Sequence, residues 1–456
     1  MLAKLLRLSQ VVYDTNYLHY STPWYLGFIS LIWIGMSAAL IVYTLQIKSR
    51  LISILLGGIL VSFPVITSLF GYMFTSGMYS FGTFMGLAGV FLFARKKTMG
   101  WKKIVSAVIG ILLQACSVGV YQANIGVIAS FTVIVFLKSL DEGEISGIVP
   151  ILKRILYFML GTFGYLFTYY IASVYFVKRI GESLSDYQGI SNMGKEGITE
   201  YLARIPVAYM EFFDPTPGES RYMYMGGKGL YLLILAVILT FVGINLFIRY
   251  RHKLFTGIVY ALAVLAFPLC ANIIYIMCAG NIYSMMMYGE VMIFVLVLYL
   301  CSIMRFKWKN IAYACTVIPI TIMIILYCRY ANVCYLCADF VQKAGISYFN
   351  RMITRIESAE GYVAGMPVIY IGEWPEVDNS LFLYKEFDDI HLWPYEFKTM
   401  VNNYNWYNFM KSNCGFNPPR GDAALYADSD EVLSMPNYPS EGSIQVIDGY
   451  VIIKLQ

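Results

Sequence analysis

The stretch Trp101–Phe136, WKKIVSAVIGILLQACSVGVYQANIGVIASFTVIVF, most constrains what this chain can become. It is apolar almost throughout, yet it carries SVGVYQAN at its middle and lysines at both ends (Lys102, Lys103 and Lys138). One bilayer crossing takes roughly 20 apolar residues, so the stretch is too long for a single span. It reads as a helical hairpin that turns at Gly119–Asn124, with the lysines on one membrane face and Tyr121, Gln122 and Asn124 on the other. Composition agrees. The 456 residues are 59% hydrophobic and 13% charged, whereas soluble domains carry about 25% charged residues.

Hydropathy gives about ten spans: 24–45, 51–70, 78–93, 104–118, 125–136, 155–176, 230–248, 254–277, 285–304 and 311–326. The short connections sort by charge. One set holds Lys48 and Arg50; Arg95–Lys103; Lys138, Lys153 and Arg154; Arg249, Arg251 and Lys253; Arg305, Lys307 and Lys309. The alternate set, near 71–77, 119–124 and 278–284, holds none. Basic loops face the cytoplasm, so the YQAN turn, the long 177–229 loop and the C-terminal part are expected outside. Met1–Pro23 is then also outside, without a signal-peptide-like apolar stretch, and the chain reads as an N-terminally shortened version of a longer design. Within the long loop, 194–213 has amphipathic helical spacing, with Pro206 expected to kink or split it.

Charge also divides the chain. From Asn332 onward there are 8 basic and 16 acidic residues, a net of −8, against 25 − 12 = +13 before it. The sequence therefore predicts an all-α polytopic membrane domain over 1–331 and a small soluble α/β or α+β domain over 332–456. In the latter, 333–359 and 394–413 read as helices and PVIYIG (367–372) as a strand. Residues 443–447 and 450–455 form a hairpin around Asp448-Gly449, a type I′ turn signal.

Chemistry is sparse in the spans. Glu290 is the one acidic residue there, and it reads either as a solvated interfacial carboxylate or as part of an outward cleft. The nine cysteines show no metal spacing and the histidines are scattered; no metal and no cofactor is implied, and Cys334-x-x-Cys337 reads as adjacent helical turns. The outward polar residues are more informative. Tyr72, Tyr121, Gln122 and Asn124 combine aromatic faces, hydroxyls and amides, as a sugar-binding rim does. Arg221 is a candidate for holding a phosphate, and Asp14 a candidate general base. Each has a plainer reading as a turn residue, a loop charge or an interfacial aromatic. Nothing in the sequence points to nucleic acid.

Phe63-Pro64, then FGYMFTS (70–76), the ARKKTMGWKK loop and SVGVYQANIG resemble the core of the bacterial glucosyltransferase II family, O-antigen glucosylating membrane proteins of a GT-C-like group. MPVIYIG and the closing MPNYPSEGSIQVIDGYVIIKL are similar to the outer domain of its Gram-positive members. The resemblance implies a multi-pass enzyme of the bacterial plasma membrane. It takes a hexose, typically glucose, from a polyprenyl-phosphate carrier and transfers it to a cell-surface glycan on the outer face. Enzymes of this group place an acidic motif in the first outer loop after a first transmembrane helix; neither that helix nor a paired-carboxylate motif stands before Trp24. Two rival classes fit the composition: a lipid-linked glycan flippase, which predicts internal repeats, and a non-catalytic membrane protein whose outer domain binds glycan.

The topology has a direct check. Alkaline phosphatase fused after Gln456 should be active and green fluorescent protein at the same point dark, with the reverse for fusions in the 95–103 loop; the opposite pattern would overturn the orientation.

Overall fold

A computed structural model describes residues 22–95, 100–143, 145, 147–180, 197–213, 227–278, 282–304, 309–373, 387–395 and 406–455. The chain forms two compact units: 1–331 together with 391–394, and 332–390 together with 395–456.

The first unit is helical: α1 (Pro23–Leu45), α2 (Arg50–Ser62), α3 (Pro64–Gly71), α4 (Met73–Ala94), α5 (Trp101–Val120), α6 (Asn124–Asp141), α7 (Ile148–Ile180), α8 (Ile198–Phe213), α9 (Gly227–Arg249), α10 (Leu254–Ala271), α11 (Ile273–Met277), α12 (Met292–Ile303) and the first part of α13 (Lys309–Glu357). Among the described residues nine helices, counting α2 and α3 as one span, are long and apolar enough to cross a membrane. The Trp101–Phe136 stretch is indeed a hairpin, turning at residues 121–123 between α5 and α6.

The tenth expected span is different. Residues 284–291 wind as two 3₁₀ turns before α12, which has 12 residues. At 1.5 Å per residue α12 reaches about 18 Å, short of a hydrocarbon core of about 30 Å. It survives because it is enclosed: every residue from Met292 to Cys301 is buried. Irregular backbone at membrane depth is tolerated only where protein or a cavity surrounds it.

Proline and glycine set the breaks and the close contacts. Pro64 drives Phe63 to an extended conformation (φ −57°, ψ 131°) and restarts the helix at its own first position. Pro206, by contrast, lies inside a continuous α8. That helix packs inward through Ala208 and Phe212 and leaves Ile198, Leu202 and Met210 exposed. On α4, Gly82, Gly86 and Gly89 face α5. A β-carbon on Gly89 would lie 2.7 Å from the Gly110 carbonyl oxygen, and one on Gly86 2.8 Å from the Ser117 hydroxyl. Lipid supplies no hydrophobic drive between helices, so such small-residue faces hold them together. Ser30 on α1 adds a 2.5 Å hydroxyl contact to Ser80 on α4.

α6 runs past its expected end at Phe136 to Asp141, an acidic residue with a buried side chain that hydropathy assigns to a loop. Its carboxylate accepts from Arg249 (3.3 Å) and Tyr250 (3.0 Å) on one oxygen and from Tyr299 (3.0 Å) on the other. Arg249 also donates to the Asp141 carbonyl at 3.2 Å and the Ile303 carbonyl at 3.2 Å. Outside the spans, burial first and then the Asp141 carboxylate push the Tyr250 phenol well above its ordinary pKa, so it stays a donor.

In the second unit three strands, β1 (Val368–Ile371), β2 (Ile444–Ile447) and β3 (Tyr450–Lys454), run in the order β1-β3-β2. β1 lies parallel to β3 and β2 antiparallel to it. One face packs Val368, Val451 and Ile453 against Phe349, Met352 and Ile356 of α13; the other sets Ile369 and Ile452 against Val432 and Met435. Both faces are covered, which explains why β3 is apolar without a break from Tyr450 to Ile453. Asp448 (φ 50°) and Gly449 (φ 80°) form the type I′ turn. Within 394–413 the described helical part is Trp406–Phe409, followed by a π-helical turn over Met410–Cys414.

The tightest backbone contact is at Gly289, where a β-carbon would lie 2.5 Å from the Ala271 oxygen and 2.9 Å from the Gly126 carbonyl carbon. None of these backbone atoms can swing aside. Gly289→Ala should therefore cost about 1–3 kcal/mol or more in detergent thermal unfolding. Gly35→Ala, with nothing within 4 Å, should be neutral or slightly stabilising.

Candidate functional site

Polar and aromatic side chains collect where α3 meets α4, at the α5–α6 turn, and along the 3₁₀ turns before α12. A cavity of about 20 Å³ joins them, lined among others by Leu69, Tyr79, Thr83, Tyr121, Asn124 and Tyr288. It lies at the end of the helices that carries uncharged connections.

Tyr121 stacks on Tyr79 with ring centroids 4.3 Å apart and planes within 8°. Its hydroxyl is buried and has no hydrogen-bond partner among the described residues. Burial, then Tyr79 and Cys278 beside it, push this phenol well above its ordinary pKa, so at neutral pH it is an O–H donor. Gln122 donates from its amide to the Tyr169 hydroxyl of α7 at 3.3 Å. Asn124 is turned inward, only 3% exposed. Its Oδ1 accepts from Thr83 Oγ1 at 3.1 Å and its Nδ2 donates to the Ser117 carbonyl at 3.2 Å, so the amide ties α4, α5 and α6 together.

Tyr72 caps the end of α3. Its hydroxyl accepts from the Trp393 indole N–H at 2.7 Å. The same tryptophan donates its backbone N–H to Ser284 Oγ at 3.0 Å, accepts at its carbonyl from Ser68, and meets the Tyr283 ring edge-on at 4.5 Å. Ser68 and Ser284 hydroxyls lie 3.1 Å apart. His391–Pro394 is thus held within the helical unit by groups on α3 and the first 3₁₀ turn. Nothing in a local reading of the sequence marks Trp393; the contact joins positions 321 residues apart.

Glu290 follows Gly289 on the second 3₁₀ turn and is buried, 7% exposed, rather than solvated at an interface. The Gly289–Gly126 contact sets this turn against the start of α6, two residues beyond Asn124. Tyr288, on the other side of Gly289, donates to the Leu60 carbonyl at 2.9 Å. The fold therefore gathers Tyr72, Tyr121, Gln122, Asn124 and the turn bearing Glu290 at one end of the helices. Asp14 and Arg221 lie outside the described residues. α8 borders the region: Arg204 donates to the Ile276 carbonyl at 3.1 Å, and Asn272 donates to the Ala208 carbonyl at 3.0 Å.

The nine long apolar helices among the described residues, several with wide exposed apolar faces, make this a multi-pass membrane protein. A family model described as glucosyl transferase GtrII matches residues 7–294, that is 294 − 7 + 1 = 288 of the 456 residues, and the chain belongs to that family. It is accordingly a glycosyltransferase of the glucosyltransferase type. No curated protein and no solved structure matches the chain.

Asn124→Leu should separate positioning from substrate contact. It removes the two hydrogen bonds by which the Asn124 amide ties α4 and α5 to α6, leaving the Thr83 hydroxyl only the Tyr79 carbonyl and the Ser117 carbonyl only the Tyr121 N–H, so unfolding stability should fall by about 1–3 kcal/mol. Gln122→Ala, whose one 3.3 Å bond is to a tyrosine hydroxyl, should change stability by less than about 1 kcal/mol.

Proposed function

We propose that the protein transfers a hexose, glucose by its family, from a polyprenyl-phosphate donor to a cell-surface glycan on the outer face of the bacterial plasma membrane. The observation that carries this reading is that the family match over residues 7–294 contains every candidate site residue from Asp14 to Glu290. The gathering of Tyr72, Tyr121 and Gln122 around one end of the helices supports it, because aromatic faces and neutral donors suit a sugar.

In this reading the sugar's C1–O bond to the lipid phosphate breaks as the acceptor hydroxyl oxygen bonds to C1. Asp14 takes the hydroxyl proton. Arg221 stabilises the charge left on the polyprenyl phosphate by a bidentate contact. Tyr72, Tyr121 and Gln122 line the sugar, Asn124 holds the wall behind them, and Glu290 contributes a buried carboxylate at the floor. The 332–456 part, taken to lie outside the membrane, helps to hold the acceptor glycan.

Membranes carrying the full chain, supplied with polyprenyl-phosphate-[¹⁴C]glucose and an acceptor glycan, should label the glycan. Asp14→Asn should slow labelling by about 100-fold or more. Labelling from a nucleotide sugar with no lipid intermediate would overturn the donor assignment, and an unchanged rate in Asp14→Asn would remove Asp14 from the mechanism.

A further inference from the structure

The opposite end of the helical unit holds a much larger cavity, about 820 Å³, between α1, α4, α6 and α7. That is within the roughly 300–1,000 Å³ range of small-molecule sites. Four cations line it: Lys48, Arg95, Lys138 and Arg154. No carboxylate belongs to its described lining. Lys138 is paired with Glu142 at 2.6 Å, which leaves Lys48, Arg95 and Arg154 without an ion-pair partner among the described residues.

Arg154 is built into the wall. Its guanidinium lies over the Phe158 ring at 4.5 Å and beside the Tyr157 ring at 5.5 Å, and it donates to the Ala94 carbonyl at 3.3 Å. Its Nε is buried with no hydrogen-bond partner among the described residues. A buried guanidinium N–H without an acceptor is costly, and an anionic oxygen is its strongest complement.

The cavity also has an apolar side. Tyr43 and Phe91, whose rings meet edge-on at 5.7 Å, belong to its lining. Tyr43 ends an exposed stripe on α1 formed by Phe28, Ile32, Met36 and Tyr43, spaced four, four and seven residues apart and so on one helix face. The stripe runs along the span toward the cations. A soluble anion has no use for it; a lipid tail does.

We propose that this cavity binds the phosphate headgroup of an anionic membrane phospholipid, with its acyl chain laid along the Phe28–Tyr43 stripe. Phosphate oxygens face Arg154, Arg95 and Lys48, and basic pockets between membrane helices suit such headgroups. The site stands at the other end of the helices from the candidate sugar site, and it does not depend on the donor or acceptor proposed above.

The test uses the full chain in nanodiscs. Phosphatidylglycerol in place of phosphatidylcholine should raise the unfolding temperature, and native mass spectrometry should show retained phosphatidylglycerol. Lys48→Gln with Arg95→Gln changes two exposed side chains, and should lower lipid retention at least about tenfold. Lys102→Gln with Lys253→Gln, basic positions outside the cavity, should leave it unchanged. Equal loss in both pairs would reduce the effect to bulk surface charge and overturn the site. So would absence of retained lipid in the unsubstituted chain. Stabilisation by millimolar inorganic phosphate to the same extent as by phosphatidylglycerol would make it a soluble-anion site and overturn the lipid assignment.

Discussion

The backbone contact of Gly126, Gly289 and the Ala271 carbonyl is the constraint on which the helical unit turns. It sets α6, the end of α10 and the irregular turn before α12 at a separation that admits no side chain. In lipid, helix contacts gain little from burying apolar surface, and close backbone approach is what distinguishes a specific neighbour from any other. The consequence is chemical as well as structural. The same contact sets the turn bearing Tyr288 and Glu290 against the start of α6, and Tyr288 shares the small cavity with Asn124 and Tyr121, so that part of the polar cluster exists because two glycines allow the approach.

The two ends of the unit use polarity differently. At the uncharged end, neutral groups satisfy one another: Asn124 with Thr83 and Ser117, Tyr72 with Trp393, Gln122 with Tyr169. At the basic end, a buried carboxylate, Asp141, collects Arg249, Tyr250 and Tyr299 and so clamps α6, α9 and α12. Removing one partner of such a buried pair is far more damaging than the pair's net contribution suggests, because a charge is left uncompensated. Lys48, Arg95 and Arg154 surround open space with no carboxylate partner among the described residues, which is what makes the large cavity there distinct from a structural ion-pair network.

Much of the fold was legible before any coordinates. The hairpin around the YQAN turn, most of the spans, the two strands around Asp448-Gly449 and the apolar β1 run follow from length, period and turn chemistry. The misses share a cause. The 285–304 stretch has the hydropathy of a span but not its geometry, because enclosure by other helices lets the backbone depart from helical form. Asp141 looked like a loop residue because a hydropathy window ends a helix at the first charges; Arg249 on α9, Tyr250 just beyond it and Tyr299 on α12 donate to its carboxylate and hold the extended end of α6. Asn124 looked like a rim residue because a turn was expected to expose it, and its amide instead faces Thr83 and Ser117.

The sequence by itself determined that this chain fills a membrane with helices, which of their connections are basic, and which stretches form the small sheet. Those properties are local: hydropathy over about 20 residues, charge in short loops, alternation along a strand. Tertiary structure alone decided which polar groups turn inward, where the helical backbone breaks, and that His391–Pro394 belongs with the helices rather than with the sheet around it in sequence. Those outcomes depend on contacts between residues up to 325 positions apart, where glycine spacing and hydrogen-bond partners on other helices select the arrangement.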